Sequence, residues 1–314
     1  MKKIVFTLLL ALFAVVIRAQ ESQTEYNFLR LPVSAHAAAL GGENITIIED
    51  DPSLMFSNPA LASSVSDKTV GLSYMNYMRG AHYMGASYTK ALGEKATLAG
   101  GVRYMNYGKM KEVDANNVQT GTFNASEIAV EGIFSYELAR NLVGGITAKF
   151  ITSYIGSYNS MAVGVDLGLN WYEPERQWSV SIVAKNLGGQ IKAYEEEYGK
   201  MPIDVQVGVS KTFAALPVRV SATLVDLTHY DYRFINHLNL GAEVLLSESI
   251  WVGGGYNFRK ADEMTIGKDE NASAHGAGFS VGAGINLEQF KLNLAYGKYH
   301  AASNSILVNL AYSF

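Results

Sequence analysis

The sequence predicts an all-β chain, a 14-stranded antiparallel transmembrane β-barrel with an N-terminal plug segment. Three observations predict it. The last ten residues, Ser305 to Phe314, alternate strictly, with Ile306, Val308, Leu310, Tyr312 and Phe314 on one face and Leu307, Asn309, Ala311 and Ser313 on the other. A period of two marks a strand with one apolar face, and a terminal strand this apolar is expected where it closes a sheet against lipid. The same alternation recurs, in segments of roughly ten residues or more, from Lys68 to the end. Short and long connections between these segments also alternate.

Composition narrows the class. The 314 residues suffice for one large barrel or two ordinary domains, and a net charge of −4 with 17% charged residues offers no basic surface for nucleic acid. No cysteine is present, which excludes disulfides and thiolate metal sites, and no cofactor is expected. The 19 tyrosines and 30 glycines suit twisted strands, small inward positions and interfacial aromatic belts.

Met1–Ala19 reads as a secretory signal, with Lys2 and Lys3 ahead of the apolar run Ile4–Ile17 and cleavage near Ala19. The alternative, a membrane anchor, needs about 20 apolar residues. With no second long apolar run, membrane residence has to use strands.

Residues 20–67 form the expected plug segment. Between Asn27 and Ser66 the chain does not alternate. Ser34 is placed to cap the alanine run that Gly41-Gly42 ends, and Ser57-Asn58-Pro59 is turn chemistry. A periplasmic arm is the other reading of this stretch.

The barrel is expected over residues 68–314. Its candidate strands begin with Lys68–Met78, His82–Lys90, Ala96–Lys109, Asn124–Leu138, Leu142–Ile155, Tyr158–Tyr172 and Arg176–Asn186. They continue with Ile203–Phe213, Pro217–His229, Phe234–Leu246, Ser249–Arg259, Ala274–Leu287, Gln289–His300 and Asn304–Phe314. Met161, Val163, Val165, Leu167, Leu169 and Trp171 oppose Ala162, Gly164, Asp166, Gly168 and Asn170, a representative case. The even connections, Ala91–Lys95, Ala139–Asn141, Glu173–Glu175, Ala214–Leu216, Ser247–Glu248 and Glu288, are all short. The long ones, Met110–Phe123, Leu187–Pro202, Thr228–Arg233 and Lys260–Ser273, are all odd. Long surface loops with short periplasmic turns are how outer-membrane barrels are built. Aromatics near strand ends, among them Tyr74, Tyr104, Tyr154, Trp171 and Tyr296, suit interfacial girdles.

Leu31-Pro32-Val33-Ser34-Ala35, Ala39-Leu40-Gly41-Gly42, Asp51-Pro52-Ser53 and Asn58-Pro59-Ala60 resemble the plug motif of the PorV/PorQ family. That family comprises FadL-like fourteen-stranded outer-membrane barrels of the type IX secretion system of Bacteroidota. Val183-Ala184-Lys185-Asn186-Leu187-Gly188, Leu240-Gly241-Ala242-Glu243, Gly254-Gly255-Tyr256 and Gly282-Ala283-Gly284-Ile285 resemble later elements of such chains. The likeness spans nearly the whole mature chain and leans toward the PorQ branch, the PorV branch being longer with more elaborate surface loops. It implies Leu40, Gly41, Gly42, Asp51, Pro52, Asn58, Pro59 and Ala60 as plug residues. It also implies a non-enzymatic role, holding a PorZ-like surface protein in a complex with a PorU-like sortase and a PorV-like barrel. That complex links cargo to lipopolysaccharide.

Other chemistry is thin. The histidines, His36, His82, His229, His237, His275 and His300, are scattered without metal-ligand spacing and read as solvated loop or strand-end residues. Glu195-Glu196-Glu197 reads as a charged loop face before it reads as a calcium site. Gly253-Gly254-Gly255 lacks the strand–turn–helix context of a phosphate cradle. Inward Asp166, Lys185, Asp204, Arg219 and Glu243 either line a lumen or pair with one another and the plug. Two functions follow: a surface scaffold docking a partner through Met110–Phe123, Leu187–Pro202 and Lys260–Ser273, or a FadL-like transporter of hydrophobic small molecules with a lateral exit.

Overall fold

The computed structural model describes residues 24–78, 80–213, 216–247, 249–264, 276–300 and 303–314. The expected signal, Met1–Ala19, lies outside them. Fourteen strands follow in chain order: β1 Thr69–Met78, β2 Ala81–Leu92, β3 Ala96–Val113, β4 Gln119–Ala139, β5 Leu142–Ile155, β6 Tyr158–Glu173 and β7 Trp178–Lys192. The second half comprises β8 Asp204–Phe213, β9 Val218–Leu224, β10 Leu238–Leu245, β11 Ile250–Asn257, β12 Phe279–Asn286, β13 Phe290–His300 and β14 Ser303–Ser313. Each pairs antiparallel with its neighbours in sequence, and β14 pairs with β1 from Thr69↔Ser313 to Asn76↔Ile306, closing the barrel. Closure satisfies every edge, the condition for strands in a hydrocarbon solvent.

Side-chain alternation decides which face meets lipid. On β14, Ile306, Leu310 and Tyr312 are 53%, 39% and 43% exposed, while Asn309, Ala311 and Ser313 are buried. Leu72, Val102, Phe134, Phe150, Leu167, Val252 and Leu294 repeat the outward pattern around the wall. An exposed apolar surface this extensive belongs in a bilayer. No helix among the described residues is long and apolar enough to cross a membrane. Exposed aromatics gather toward strand ends, Trp171, Trp178, Tyr136 and Tyr312 at one and Tyr74, Tyr154 and Tyr296 at the other.

Connections at one end stay short, at 93–95, 140–141, 174–177, 214–217, 246–249 and 287–289. At the other end several expectations change. Met110–Phe123 is not a loop: Lys109↔Asn124 through Val113↔Gln119 pair, so β3 and β4 continue as a two-stranded ribbon beyond the partners of β2 and β5. The ribbon turns where the Asp114 carboxylate accepts from the Asn116 and Val118 amides at 2.8 and 2.9 Å. Asn117 there takes a positive φ of 61°. The polar residues that suggested a loop are this turn together with the solvated rungs leading to it. Leu187–Pro202 begins as strand, because β7 runs to Lys192, which leaves 193–203 as the connection. Lys260–Ser273 begins inside a helix, Phe258–Glu263, capped by the Asn257 side chain accepting from the Lys260 amide at 2.8 Å. Residues 265–273 of that expected loop lie outside the described residues.

The expected strand Pro217–His229 stops at Leu224. Asp226 adopts a left-handed φ of 51°, and its amide donates to the Asp204 carboxylate at 2.7 Å. Phe234–His237 is a 3-10 turn ahead of β10. Local polar bonds win over continued pairing at both places. The barrel is consequently lopsided, with β3 and β4 at 18 and 21 residues and β9 to β12 at seven or eight.

Candidate functional site

Residues 26–65 run inside the barrel. Their path begins at the rim carrying the ribbon, where the Glu25 amide donates to the Lys200 carbonyl at 2.9 Å and Arg30 pairs with Asp226 at 2.5 Å. It ends at the opposite rim, where the Phe314 amide donates to the Lys68 carbonyl at 3.4 Å. Between these points Ala35, Ala37, Ala38, Ala39, Ile45, Ile47, Leu54, Met55 and Leu61 are fully buried or nearly so.

The helix Ala35–Ala39 is built from the smallest helix-forming side chain, and Ser34 caps it by accepting from the Ala37 amide at 3.2 Å. It packs against β11 to β14. Gly255 is the counterpart on the wall, since a Cβ there would collide with the Leu40–Gly41 backbone. Gly41 and Gly42 end the helix at φ 99° and 93°, a conformation open to glycine. The Gly41 amide donates to Ser280 Oγ at 2.9 Å, and Asn257 Nδ2 donates to the Gly41 carbonyl at 3.2 Å.

The other plug-motif residues grip different parts of the wall. Asp51 caps the turn Pro52–Phe56, its carboxylate accepting from the Ser53 amide at 2.8 Å and from Asn293 Nδ2 at 3.0 Å. Asn58 caps the turn Pro59–Ser64, accepting from the Ala60 amide at 3.0 Å, and its Nδ2 donates to Ile45 O and Ser181 Oγ. Pro59 and Ala60 press on Gly145 of β5 so closely that a Cβ there would strike their backbone.

Charge fastens segment to wall. His36 is fully buried, with Nε2 2.5 Å from Glu243 of β10 and Nδ1 3.2 Å from Glu49 of the segment itself. Arg219 of β9 bonds both carboxylates. The imidazole lies flat on Trp251, centroids 3.7 Å apart and planes within 6°. Burial works against an imidazolium, but Glu49 and Glu243 outweigh it and raise the His36 pKa to about 9. Burial would likewise raise Glu49, and His36 and Arg219 reverse it, holding that carboxyl well below its usual range. Lys291–Asp50 at 2.5 Å and Lys185–Glu43 at 3.5 Å add two more wall-to-segment pairs. Asn309 of β14 accepts from the Ala35 amide and donates to the Val33 carbonyl at 2.8 Å. Elsewhere on the wall, Arg103 bonds Glu131 and reaches the Leu29 carbonyl at 3.3 Å, while Lys149 pairs with Asp166 at 2.7 Å.

Of the inward residues, Lys185, Arg219 and Glu243 are therefore paired with one another or with the segment, Asp166 pairs with Lys149 of the wall, and Asp204 accepts from the Gln206 side chain and the Asp226 amide. His36, Trp251, Asn293 and Asn309 were not expected to matter. Their one signal in the sequence is a lone polar or bulky side chain among small inward-facing residues. Of the anticipated docking stretches, Met110–Phe123 stands at the rim, whereas Leu187–Pro202 and Lys260 touch the inner segment, Gln190 donating to Tyr26 Oη at 3.1 Å and Lys260 lying against Gly42.

A closed barrel with a filled lumen limits the families to consider. The model of the type IX secretion system membrane protein PorP/SprF matches residues 65–309. The chain belongs to the PorP/SprF family. The match runs from just before β1 into β14 and leaves out all but the last residue of the inner segment. No curated protein sequence matches. Among solved structures, the toluene transporter TodX of Pseudomonas putida superposes with a TM-score of 0.59 at 13% identity, over 90% of this chain and 97% of that one. A FadL homologue of Pseudomonas aeruginosa gives a TM-score of 0.54 at 10% identity, over 90% and 98%. At such identities the likeness is one of fold, and the fold is FadL-like. Family and fold together make this PorP/SprF member an outer-membrane barrel of the type IX secretion system, in a class of secretion and transport barrels.

Proposed function

We propose that this barrel is a plugged scaffold closest in role to PorQ. Residues 26–65 act as the plug. The rim holds a PorZ-like soluble protein at the surface, beside a PorU-like sortase and a PorV-like barrel and near the lipopolysaccharide that receives cargo. The observation that carries the reading is the occupied lumen: inward charges that would line a conduit are consumed by Glu43, Glu49, Asp50 and His36 of the segment. What remains for a partner is the rim, and its tallest ordered feature is the ribbon 109–124. Mild detergent extraction of the native outer membrane, with mass identification of what co-purifies, tests the reading. A stoichiometric surface protein is expected, lost when the ribbon and the connections 193–203 and 258–278 are shortened. Its retention after all three replacements would overturn the docking role.

One observation favours a second reading, transport of hydrophobic molecules through the wall. Between Val165↔Leu187 and Leu167↔Ala184 the β6–β7 register slips, and β7 leaves β8 after Lys185↔Asp204. Asn186, at φ 58°, bridges this break by donating from Nδ2 to the Pro202 carbonyl at 3.0 Å. Recovery of a lone barrel carrying an acyl chain would favour this reading.

A further inference from the structure

Beside Gly41 and Gly42, in the half of the lumen nearer the ribbon, lie a lysine and two polar side chains with unmade hydrogen bonds. Lys260 of the helix Phe258–Glu263 extends its ammonium over the Tyr299 ring, 3.9 Å from the centroid. Among the described residues no carboxylate forms an ion pair with it; the neighbouring Glu43 is taken by Lys185 at 3.5 Å and by Gln206 at 3.2 Å. The Tyr299 hydroxyl is buried without a hydrogen-bond partner. Asn239 of β10 is 1% exposed, with neither its amide nitrogen nor its oxygen bonded. These groups converge on the two glycines. A Cβ on Gly42 would meet the Lys260 ammonium and stand 3.3 Å from Tyr299 Oη, and one on Gly41 would stand 3.5 Å from Asn239 Cβ. The positive φ of both glycines keeps that space clear of side chains.

A buried donor left unmade is expensive, and several in one place call for a bound group. We propose that Lys260, Tyr299 and Asn239 form a binding site for a monovalent carboxylate. The ammonium and the phenol hydroxyl donate to the carboxylate oxygens, and Asn239 Nδ2 supplies a third donor. Asn239 Oδ1 then awaits a donor from the ligand, which a hydroxyl next to the carboxylate provides. A phosphate suits the place less well. Among the described residues here, Lys260 is the one cation without an ion pair, since Arg259 is engaged by Asp226 and Glu263, and the nearby Glu43 carboxylate opposes a second negative charge. The site does not depend on the scaffold reading, because it faces the lumen and not the rim.

Saturation-transfer NMR on the purified full-length barrel in detergent, with acetate and lactate observed directly and inorganic phosphate as a competitor that displaces them, tests it. Acetate should bind, lactate more tightly, and phosphate least. Lys260→Met should weaken lactate binding at least about tenfold, the scale of one charge-assisted hydrogen bond. Asn239→Ala should erase the preference for lactate over acetate. Tyr299→Phe removes a single oxygen, so it keeps the test decisive if Lys260→Met does not fold; it should weaken both carboxylates. Binding unchanged in Lys260→Met and Tyr299→Phe, or phosphate binding more tightly than lactate, would overturn the assignment. So would the absence of binding by any probe, which would mean that water alone satisfies these groups.

Discussion

His36 sits in an alanine helix that by composition has no use for a charge, yet it is the buried hub of the wall-to-segment contacts. Replacing one member of a buried charged pair leaves its partners uncompensated, at roughly 3–5 kcal/mol. His36→Gln should therefore lower the unfolding free energy of the barrel in detergent, read by urea titration, by an amount in that range. The pH dependence has a definite sign. His36, free near 6.5 and about 9 in place, adds stability that is complete below pH 6.5 and gone above about 9. Glu49, free near 4.5 and lower in place, adds stability that is present above pH 4.5 and lost as pH falls. The segment is held most firmly between about pH 4.5 and 6.5. Single-channel conductance should rise as pH passes 9 in the native protein, and His36→Gln should abolish that alkaline transition.

At the scale of elements, glycines on the wall decide where the inner segment can lie. Gly145 and Gly255 face backbone of the segment, which cannot swing aside as a side chain tip can. Gly255→Val or Gly145→Val should push the segment from its bed, at about 1–3 kcal/mol for overpacking or more. Faster proteolysis within residues 26–65, with an unchanged strand content by circular dichroism, would check this. The ribbon behaves differently. Its rungs Lys109↔Asn124 to Val113↔Gln119 lean on neither β2 nor β5, so replacing 109–124 by a short turn should leave the unfolding free energy within about 1 kcal/mol of native. The stretch Met110–Phe123 looks like a loop in sequence because its period carries no apolar face. Asp114 to Asn117 are turn residues, but the alternation on either side is that of strands standing in water, where no apolar face marks them.

Across the whole molecule, the strand ladder and the inner segment are separate supports. The ladder closes through β1 and β14 without help from residues 26–65. Deleting residues 24–65 should yield a barrel that still inserts, with a water-filled lumen and a large, steady conductance in planar bilayers; a silent pore would contradict the plug role. The direction of the segment gives a second prediction. Thr24 bridges Lys200 at the rim that carries the ribbon, so an epitope tag placed just before Thr24 should be labelled on intact cells. The even strand count brings the start of β1 and the end of β14 to the opposite rim, so the two ends of the inner segment lie at different rims.

The sequence by itself determined the barrel. Alternation in β14, repeated through thirteen more strands, fixes which face meets lipid, and the parity of connection lengths fixes which end is which. These signals are local, carried by residues two apart or by the spacing of neighbours. Tertiary structure alone decided that His36 joins Glu49, Glu243 and Arg219, that Asn309 holds Ala35, and that Lys260 and Tyr299 meet at Gly42 with Asn239 against Gly41. Those partners stand far apart in the chain, and only closure of the sheet around its own N-terminal segment brings them within reach. An inward polar side chain reads the same in sequence whether its partner is water, wall or plug, because the pattern records the face and not the contact.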